Sequence, residues 1–366
     1  MVRAMARSYR SVTQQSLHYL LRPHAEIPRQ PVSHPAAWRG DELMRQGGWQ
    51  YTLDDGELDE LDAAVARARQ SGKRLAELSL ADFPLPGLAS RIAQWRRTLG
   101  SGRGVQVVRG IPVERYSPED CERLFFGLGL HLGVPGAQNR FEELLGHVRS
   151  EGLSYNDPGV RGYRTSAALA YHCDFADVVG LFCLRTAKSG GTSRFVSSVT
   201  VWNELFRRRP DLSRRMFKPL LFDTRGDGGL NFFAIPPCRY AGGQLRTCYH
   251  ADYFRTAQQH RRARPLQAIE SEMLALYDEI AATPGIYLEM DFAPGDIQLL
   301  SNHTVLHARS EYIDHDEPER KRHLLRLWLS LPSQPTLGEL PSLAEEGLRL
   351  LSTLVWGRLR DRPQTH

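Results

Sequence analysis

The residues best suited to chemistry lie in Ala170-Tyr171-His172-Cys173-Asp174-Phe175, followed by the apolar run Val178 to Leu184 and the Ser189-Gly190-Gly191 turn. These apolar, β-prone surroundings predict a strand. Side chains alternate faces along a strand, so the imidazole of His172 and the carboxylate of Asp174 share a face while Cys173 takes the other. One cation could accept both. A second, distant histidine would complete a two-His-one-carboxylate set, which leaves positions open on Fe(II) for a cosubstrate and oxygen. His-x-Asp by itself also describes a surface hydrogen-bonded pair, so the remaining partners must come from elsewhere in the chain.

The chain that must position them has 366 residues, 41% hydrophobic and 24% charged, which is a globular composition. No stretch approaches the ~18 apolar residues of a membrane helix. No internal repeat argues for two domains, and one large β-rich enzyme domain accommodates the length. The net charge is +5, and Arg3, Arg7, Arg10 and Arg22 all precede the first acid, Glu26. The remainder is nearly neutral, which leaves no broad basic field for nucleic acid, whereas one or two arginines suffice for a small acidic substrate. Five scattered cysteines without a Cys-x-x-Cys pair fit reduced thiols in the cytoplasm. Residues 1–24 lack acids and read as a frayed basic terminus, with a faint likeness to a mitochondrial transit peptide.

Residues 1–50 are expected to form a partly irregular N-terminal extension, 51–335 the enzyme domain and 336–366 a C-terminal helical tail. Within the domain, Leu58 to Arg69 and Leu88 to Leu99 read as helices, and Gly104 to Arg109 as the first strand. Ser117-Pro118-Glu119-Asp120 supplies an N-cap hydroxyl, a first-turn proline and two acids, so a helix should run on to about Leu132. Further strands are expected at Leu145 to Arg149, Leu220 to Asp223, Phe232 to Ile235 and Leu245 to Tyr249, with a hairpin turn at Ala241-Gly242-Gly243. Thr200 to Arg209 reads as a helix stopped by Pro210, and Leu266 to Ala282 as an amphipathic helix. The last strands are Ile286 to Phe292, Ile297 to Leu300, Thr304 to His307 and His323 to Leu331. A tail helix from Leu343 to about Leu359 could cover the barrel or a partner subunit in a homo-oligomer. Many short strands with few long helices and no βαβ alternation give an α+β, mostly β chain. The fold expected is a double-stranded β-helix, or jelly roll, with flanking helices. Ligands sit between the sheets of such a barrel, where residues far apart in sequence meet.

Near the far end, Pro294-Gly295-Asp296 opens a strand, His307-Ala308-Arg309 follows it, and Arg322 and Arg326 lie four residues apart on one strand face. By parity either His303 or His307 could join His172 and Asp174. With the Gly190-Gly191 turn and Thr192-Ser193, this order resembles the taurine dioxygenase (TauD/TfdA-like) family of Fe(II)/2-oxoglutarate oxygenases over residues 100–331. The resemblance implies that His172, Asp174 and His307 are the iron ligands. It implies that Ser193 and Arg322 hold the distal carboxylate of the cosubstrate 2-oxoglutarate, and that Arg326 grips an anionic group of the prime substrate. Physical reading agrees, because a guanidinium meets a carboxylate with two charge-assisted hydrogen bonds and a hydroxyl can complete the cradle. A structural ion pair is the bland reading of Arg326. His303 is then a hydrogen-bonding strand residue, and His147, His250, Tyr249 and Tyr253 are candidates for lining the substrate space. The chain departs from the commonest family pattern in carrying Ser193 where threonine is usual, and in a longer loop before Arg322. That loop, Glu311 to Glu319, could shape or cover the mouth.

The function expected is oxidation of an unactivated C–H of a small anionic substrate, such as an amino acid or related acid. O2 is consumed and succinate and CO2 are released; hydroxylation is the default, with desaturation or cyclisation using the same residues. Two rivals are a zinc-dependent hydrolase on the same three ligands, which would not need the arginine pair, and a non-catalytic ligand-binding jelly roll, which would not need the open-sided metal set.

Overall fold

Alternation along the strands explains the layers. The computed structural model describes residues 9–157, 159–225 and 231–332; the tail helix expected over 343–359 lies outside them. The larger sheet has seven strands. They run in the order Gln50–Thr52, Val105–Arg109, Ile297–Ser301, Val178–Arg185, His323–Ser330 and Val134–Gly136, with Leu145–Val148 also paired to His323–Ser330. Its first pair is parallel and the others are antiparallel. The smaller sheet is antiparallel, in the order Tyr287–Met290, Ser193–Ser197, Val305–Arg309 and Leu169–His172.

Both faces of the larger sheet are buried. Val105, Val107, Val179, Leu300 and Trp328 point toward Phe195, Leu288, Met290 and Val305 of the smaller sheet and form the layer between the two. Their neighbours Val108, Val178, Phe182, Leu299, Leu325, Leu327 and Leu329 face outward. There they pack under the helices Asp55–Gln70, Ala89–Gly100 and Pro118–Leu132. On the far side, Ser198–Arg208 and Ala268–Ala281 cover the smaller sheet through Val196, Leu306 and Ala308. This is the jelly roll with flanking helices, and among the described residues no helix is long and apolar enough to cross a membrane.

Local signals worked where they name a cap. Ser117 accepts from the Asp120 amide ahead of Pro118–Leu132, and the Gly242-Gly243 turn, at φ of 57° and 76°, closes the hairpin of Cys238–Ala241 with Gln244–Thr247. Three expectations need correction. Pro210 ends one helix and also starts another, Pro210–Arg215, because its fixed φ suits a first helical position. The strand expected through Asp174 stops at His172. The terminus read as frayed contains the helix Val12–Leu20, closed by a capping box in which Ser11 and Gln14 bond reciprocally. Gln15, Tyr19, Leu20 and Arg22 of that segment are buried.

Candidate active site

His172 ends the edge strand of the smaller sheet and pairs in register with His307; their ring centroids are 4.2 Å apart. Beyond His172 the chain leaves the sheet. The Asp174 amide donates to Asn302 Oδ1 at 3.0 Å, and the Ala176 amide to the Asp174 carbonyl at 2.9 Å. This turn keeps the carboxylate on the His172 side while Cys173 turns its thiol toward the Thr247 carbonyl. Ligand atoms of His172, Asp174 and His307 all lie within 4.8 Å of one another, the one such trio among the described residues.

The protonation states suit a cation. His172 Nδ1 sits 2.8 Å from the Ala170 carbonyl; donating there leaves Nε2 with its lone pair. Burial lowers His172 and takes His307 down to about 3, so both imidazoles are neutral near neutral pH. Burial opposes the charge of Asp174, but the neighbouring Arg326 guanidinium holds the carboxyl below its ordinary value. Asp174 Oδ2 and His307 Nδ1 are buried without a hydrogen-bond partner. An oxygen acceptor left in that state normally meets a ligand or an ion.

A cavity of about 340 Å³ opens over the trio and reaches Ser193, Arg309, Arg322 and Arg326. Arg322 is 5% exposed and Arg309 7%. Both guanidiniums lie over the Tyr312 ring, at 5.0 and 4.8 Å. Nη1 of Arg322 and both Nε and Nη1 of Arg309 are buried without acceptors, while Nη2 of Arg309 bonds the Thr165 and Ala167 carbonyls. Burial, then the neighbouring Arg322, pulls Arg309 down to about 10. Two like charges in so dry a place are costly unless an anion meets them. Gly191 makes room for this arrangement: at φ of 77°, a Cβ there would come within 3.1 Å of Arg322 Nε. Ser193 Oγ faces the same cavity and lies 3.1 Å from the Gln298 amide oxygen.

Arg326 is more heavily engaged. Its Nε donates to Gln138 Oε1 at 2.7 Å, its Nη1 reaches Asp174 Oδ1 at 3.4 Å, and the group lies over Tyr163 at 4.6 Å and Trp328 at 5.1 Å. Of the lesser candidates, His250 and Tyr253 line the cavity, stacked on each other with centroids 3.7 Å apart. His147 instead pairs with His323 at 2.9 Å, and Tyr249 bonds Asp278 at 2.7 Å; neither faces the cavity. His303 sits in the turn between Ile297–Ser301 and Val305–Arg309, bonded to Asp177 at 2.8 Å. The Glu311 to Glu319 loop begins inside the molecule, since Tyr312 is the floor under the two arginines and Asp314 accepts from the Arg322 amide.

Sequence reasoning left four contributors without a role. Arg309 shares strand parity with His307, a signal that was available. Gln138, Asn302 and Tyr312 act through contacts that only the fold creates.

Residues 69–328 match the taurine catabolism dioxygenase TauD, TfdA family. FR-33289 synthase of Streptomyces rubellomurinus is 29% identical over 350 residues, covering 93% of this chain and 99% of that protein. A taurine hydroxylase-like protein of Stachybotrys chartarum is 27% identical over 301 residues, covering 80% and 77%. Among solved structures, an asparagine oxygenase with Fe(II), 2S,3S-3-hydroxyasparagine and succinate is similar at a TM-score of 0.61 and 16% identity, covering 77% of this chain and 94% of that one. The non-heme iron oxygenase OrfP with Fe and alpha-ketoglutaric acid follows at a TM-score of 0.55, 15% identity and coverage of 77% and 94%. With its jelly roll, its His-Asp-His trio and this match over most of its length, the chain belongs to the TauD, TfdA family and is an Fe(II)/2-oxoglutarate-dependent dioxygenase.

Proposed function

We propose that the protein hydroxylates an unactivated C–H of a small acid, an amino acid or a close relative of one, with release of succinate and CO2. The observation that carries this reading is one cavity containing three neutral or anionic metal-ligand groups beside three buried arginines. The trio fits Fe(II), because Asp174 Oδ2 is buried and unpartnered and His172 has its Nδ1 engaged with backbone. His172, Asp174 and His307 would hold the metal on one side, and bound Fe(II) with 2-oxoglutarate supplies the oxidising power that no side chain has.

The chain's own residues do the positioning. Arg322 supplies a preorganised fork for the distal carboxylate of 2-oxoglutarate, and Ser193, oriented by Gln298, completes its cradle. Arg309 adds a second positive charge and at the same time ties down the Thr165 and Ala167 carbonyls ahead of the Leu169–His172 strand. Arg326 neutralises Asp174 across 3.4 Å and presents its remaining donor edge to the acid group of the prime substrate. Solved relatives carry hydroxyasparagine or hydroxyarginine in their sites, which supports an amino-acid-like substrate here. Four of the five cysteines are buried and all are free thiols, in keeping with a cytoplasmic enzyme.

The test is succinate release by purified protein given Fe(II), ascorbate and 2-oxoglutarate, repeated with a panel of amino acids. Succinate formation stimulated by at least one acidic or zwitterionic compound is expected. Zinc as the only purified metal together with no succinate would favour the hydrolytic alternative. Arg326→Ala should raise KM for the stimulating compound far more than for 2-oxoglutarate; unchanged substrate KM with a large loss of thermal stability would make Arg326 a structural ion pair.

A further inference from the structure

Residues 9–24 lie before the family match begins at 69, yet Val12–Leu20 forms one side of the cavity above the metal-ligand trio. We propose that this helix is the specificity-determining wall of the prime-substrate chamber, and that the substrate carries, besides its acid group, an apolar portion that rests on Leu17. The proposal deepens the reading above and rests on it.

The helix is fastened along its whole length. Before its first turn, Arg10 bridges to Gly136. The Val12 amide donates to Glu142 Oε1 at 3.1 Å, an acid held at a φ of 60° that non-glycine residues seldom adopt. In the middle, Gln15 bonds the Phe175 carbonyl at 3.0 Å and Ser330 Oγ at 2.9 Å. At its end the Tyr19 hydroxyl lies 3.0 Å from both the Thr247 and the Asn302 carbonyl, which share its single proton. His18 and Arg22 bond Asp177, which is fully buried and also bound by His303. Phe175 and Asp177 belong to the same turn as Asp174, and Asn302 is the residue that holds the Asp174 amide. A wall fixed at so many points to the metal-ligand turn cannot drift from the reacting centre without disturbing it.

What this wall presents is mainly aliphatic, Val12, Leu17 and Leu20, with the hydroxyls of Thr13 and Ser16 beside them. Leu17 remains 38% exposed although the helix is tightly packed, and it faces the cavity with Val12 and Leu20. Beside it Phe175, stacked on Tyr19 of the helix at 5.6 Å, carries the apolar lining on to Phe222 and Phe233, the three rings packed on one another with centroids 5.3 to 6.2 Å apart. Arg309, Arg322 and Arg326, with Arg161 and the carboxylate of Asp223, share the cavity lining with these aliphatic and aromatic groups, which suits an acid that also carries an apolar portion.

Binding of two probes to the full-length protein loaded with Fe(II) and saturating 2-oxoglutarate, without oxygen, tests this by calorimetry. The probes are 3-phenylpropanoate and propanoate, which share the acid and differ in the apolar group. Burial of a phenyl ring predicts a preference on the order of 30-fold for 3-phenylpropanoate. Leu17→Asp should lower 3-phenylpropanoate affinity by about tenfold or more and propanoate affinity little, because only the longer probe reaches the helix. Leu17→Met should keep the preference, and Leu80→Asp, at an exposed site remote from the cavity, should not change it. Equal affinity for the two probes, or a preference that survives Leu17→Asp, overturns the proposal while leaving the dioxygenase reading intact. Failure of 2-oxoglutarate itself to bind the iron-loaded protein overturns both.

Discussion

Replacing Arg322 with alanine removes a guanidinium that is 5% exposed and has a buried N–H without acceptor. If it holds the distal carboxylate of 2-oxoglutarate through two charge-assisted hydrogen bonds of about 1.5–3 kcal/mol each, the loss is about 3–6 kcal/mol. Arg309 shares the Tyr312 ring and can take over part of the attraction. The lower end is therefore expected, about 3 kcal/mol, or a rise in the 2-oxoglutarate KM of roughly 150-fold. Stability should respond differently. Removing one of two neighbouring buried cations relieves repulsion, so Arg322→Ala should unfold within about 1 kcal/mol of the wild type, whereas breaking a buried ion pair costs about 3–5 kcal/mol. Succinate release across a 2-oxoglutarate titration gives the KM, and urea unfolding gives the stability. A KM change below about fivefold, or a stability loss above about 3 kcal/mol, would show that Arg322 is a structural cation rather than a cosubstrate anchor.

Asp174→Ala should reduce bound iron, measured by elemental analysis after anaerobic loading, by at least about tenfold, since it removes one of three protein ligands; full iron content would refute the ligand assignment. Asp177→Ala leaves Arg22 buried without its carboxylate, so urea unfolding should report a loss of about 3–5 kcal/mol; a loss below about 1 kcal/mol would mean the latch does not hold the N-terminal helix. Burial lowers His303 to about 4 from the ordinary 6.5. The unfolded state therefore takes up the proton first as pH falls, and stability drops between 6.5 and about 4, by about 1.4 kcal/mol per pH unit and about 3 kcal/mol in all. His303→Gln should flatten the pH dependence of unfolding in that window; parallel curves for the two proteins would refute it.

The sheet architecture was legible because the strands alternate cleanly or are apolar throughout, and because Ser117-Pro118 and Gly242-Gly243 name their own local structure. The candidate metal trio, which the fold brings together, stood out through the His-x-Asp spacing, and the buried Arg322 and Arg326 through two arginines at strand parity in an otherwise apolar run. The N-terminal helix was missed although Ser11-x-x-Gln14 is a capping signal. Its acid-free composition carries no sign of order, and the anchors that hold the segment, Asp177 and His303, are more than 150 residues away. Arg309 is two residues from His307 and so on the same strand face, but its buried pairing with Arg322 over Tyr312 comes from a contact across the fold. Gln138 could not be read at all: it fixes Arg326 from a loop whose approach depends on the pairing of Leu145–Val148 with His323–Ser330.

The strand that ends in His172 lies at the edge of its sheet, where it pairs with Val305–Arg309 through two register positions with an irregularity between them, and on its other side it is held by an isolated bridge from His172 to His250. Such an edge should open locally at a fraction of the global unfolding free energy. A metal bound to His172 and His307 would bridge that strand to its neighbour within the sheet, and through Asp174 to the turn beyond it. Loading would then act as a mechanical clasp. Amide hydrogen exchange over residues 169–174 should slow on adding Fe(II) by more than it slows in the central strands, so the same atoms that arrange the chemistry would also report, as a change in local rigidity, whether the enzyme is charged for turnover.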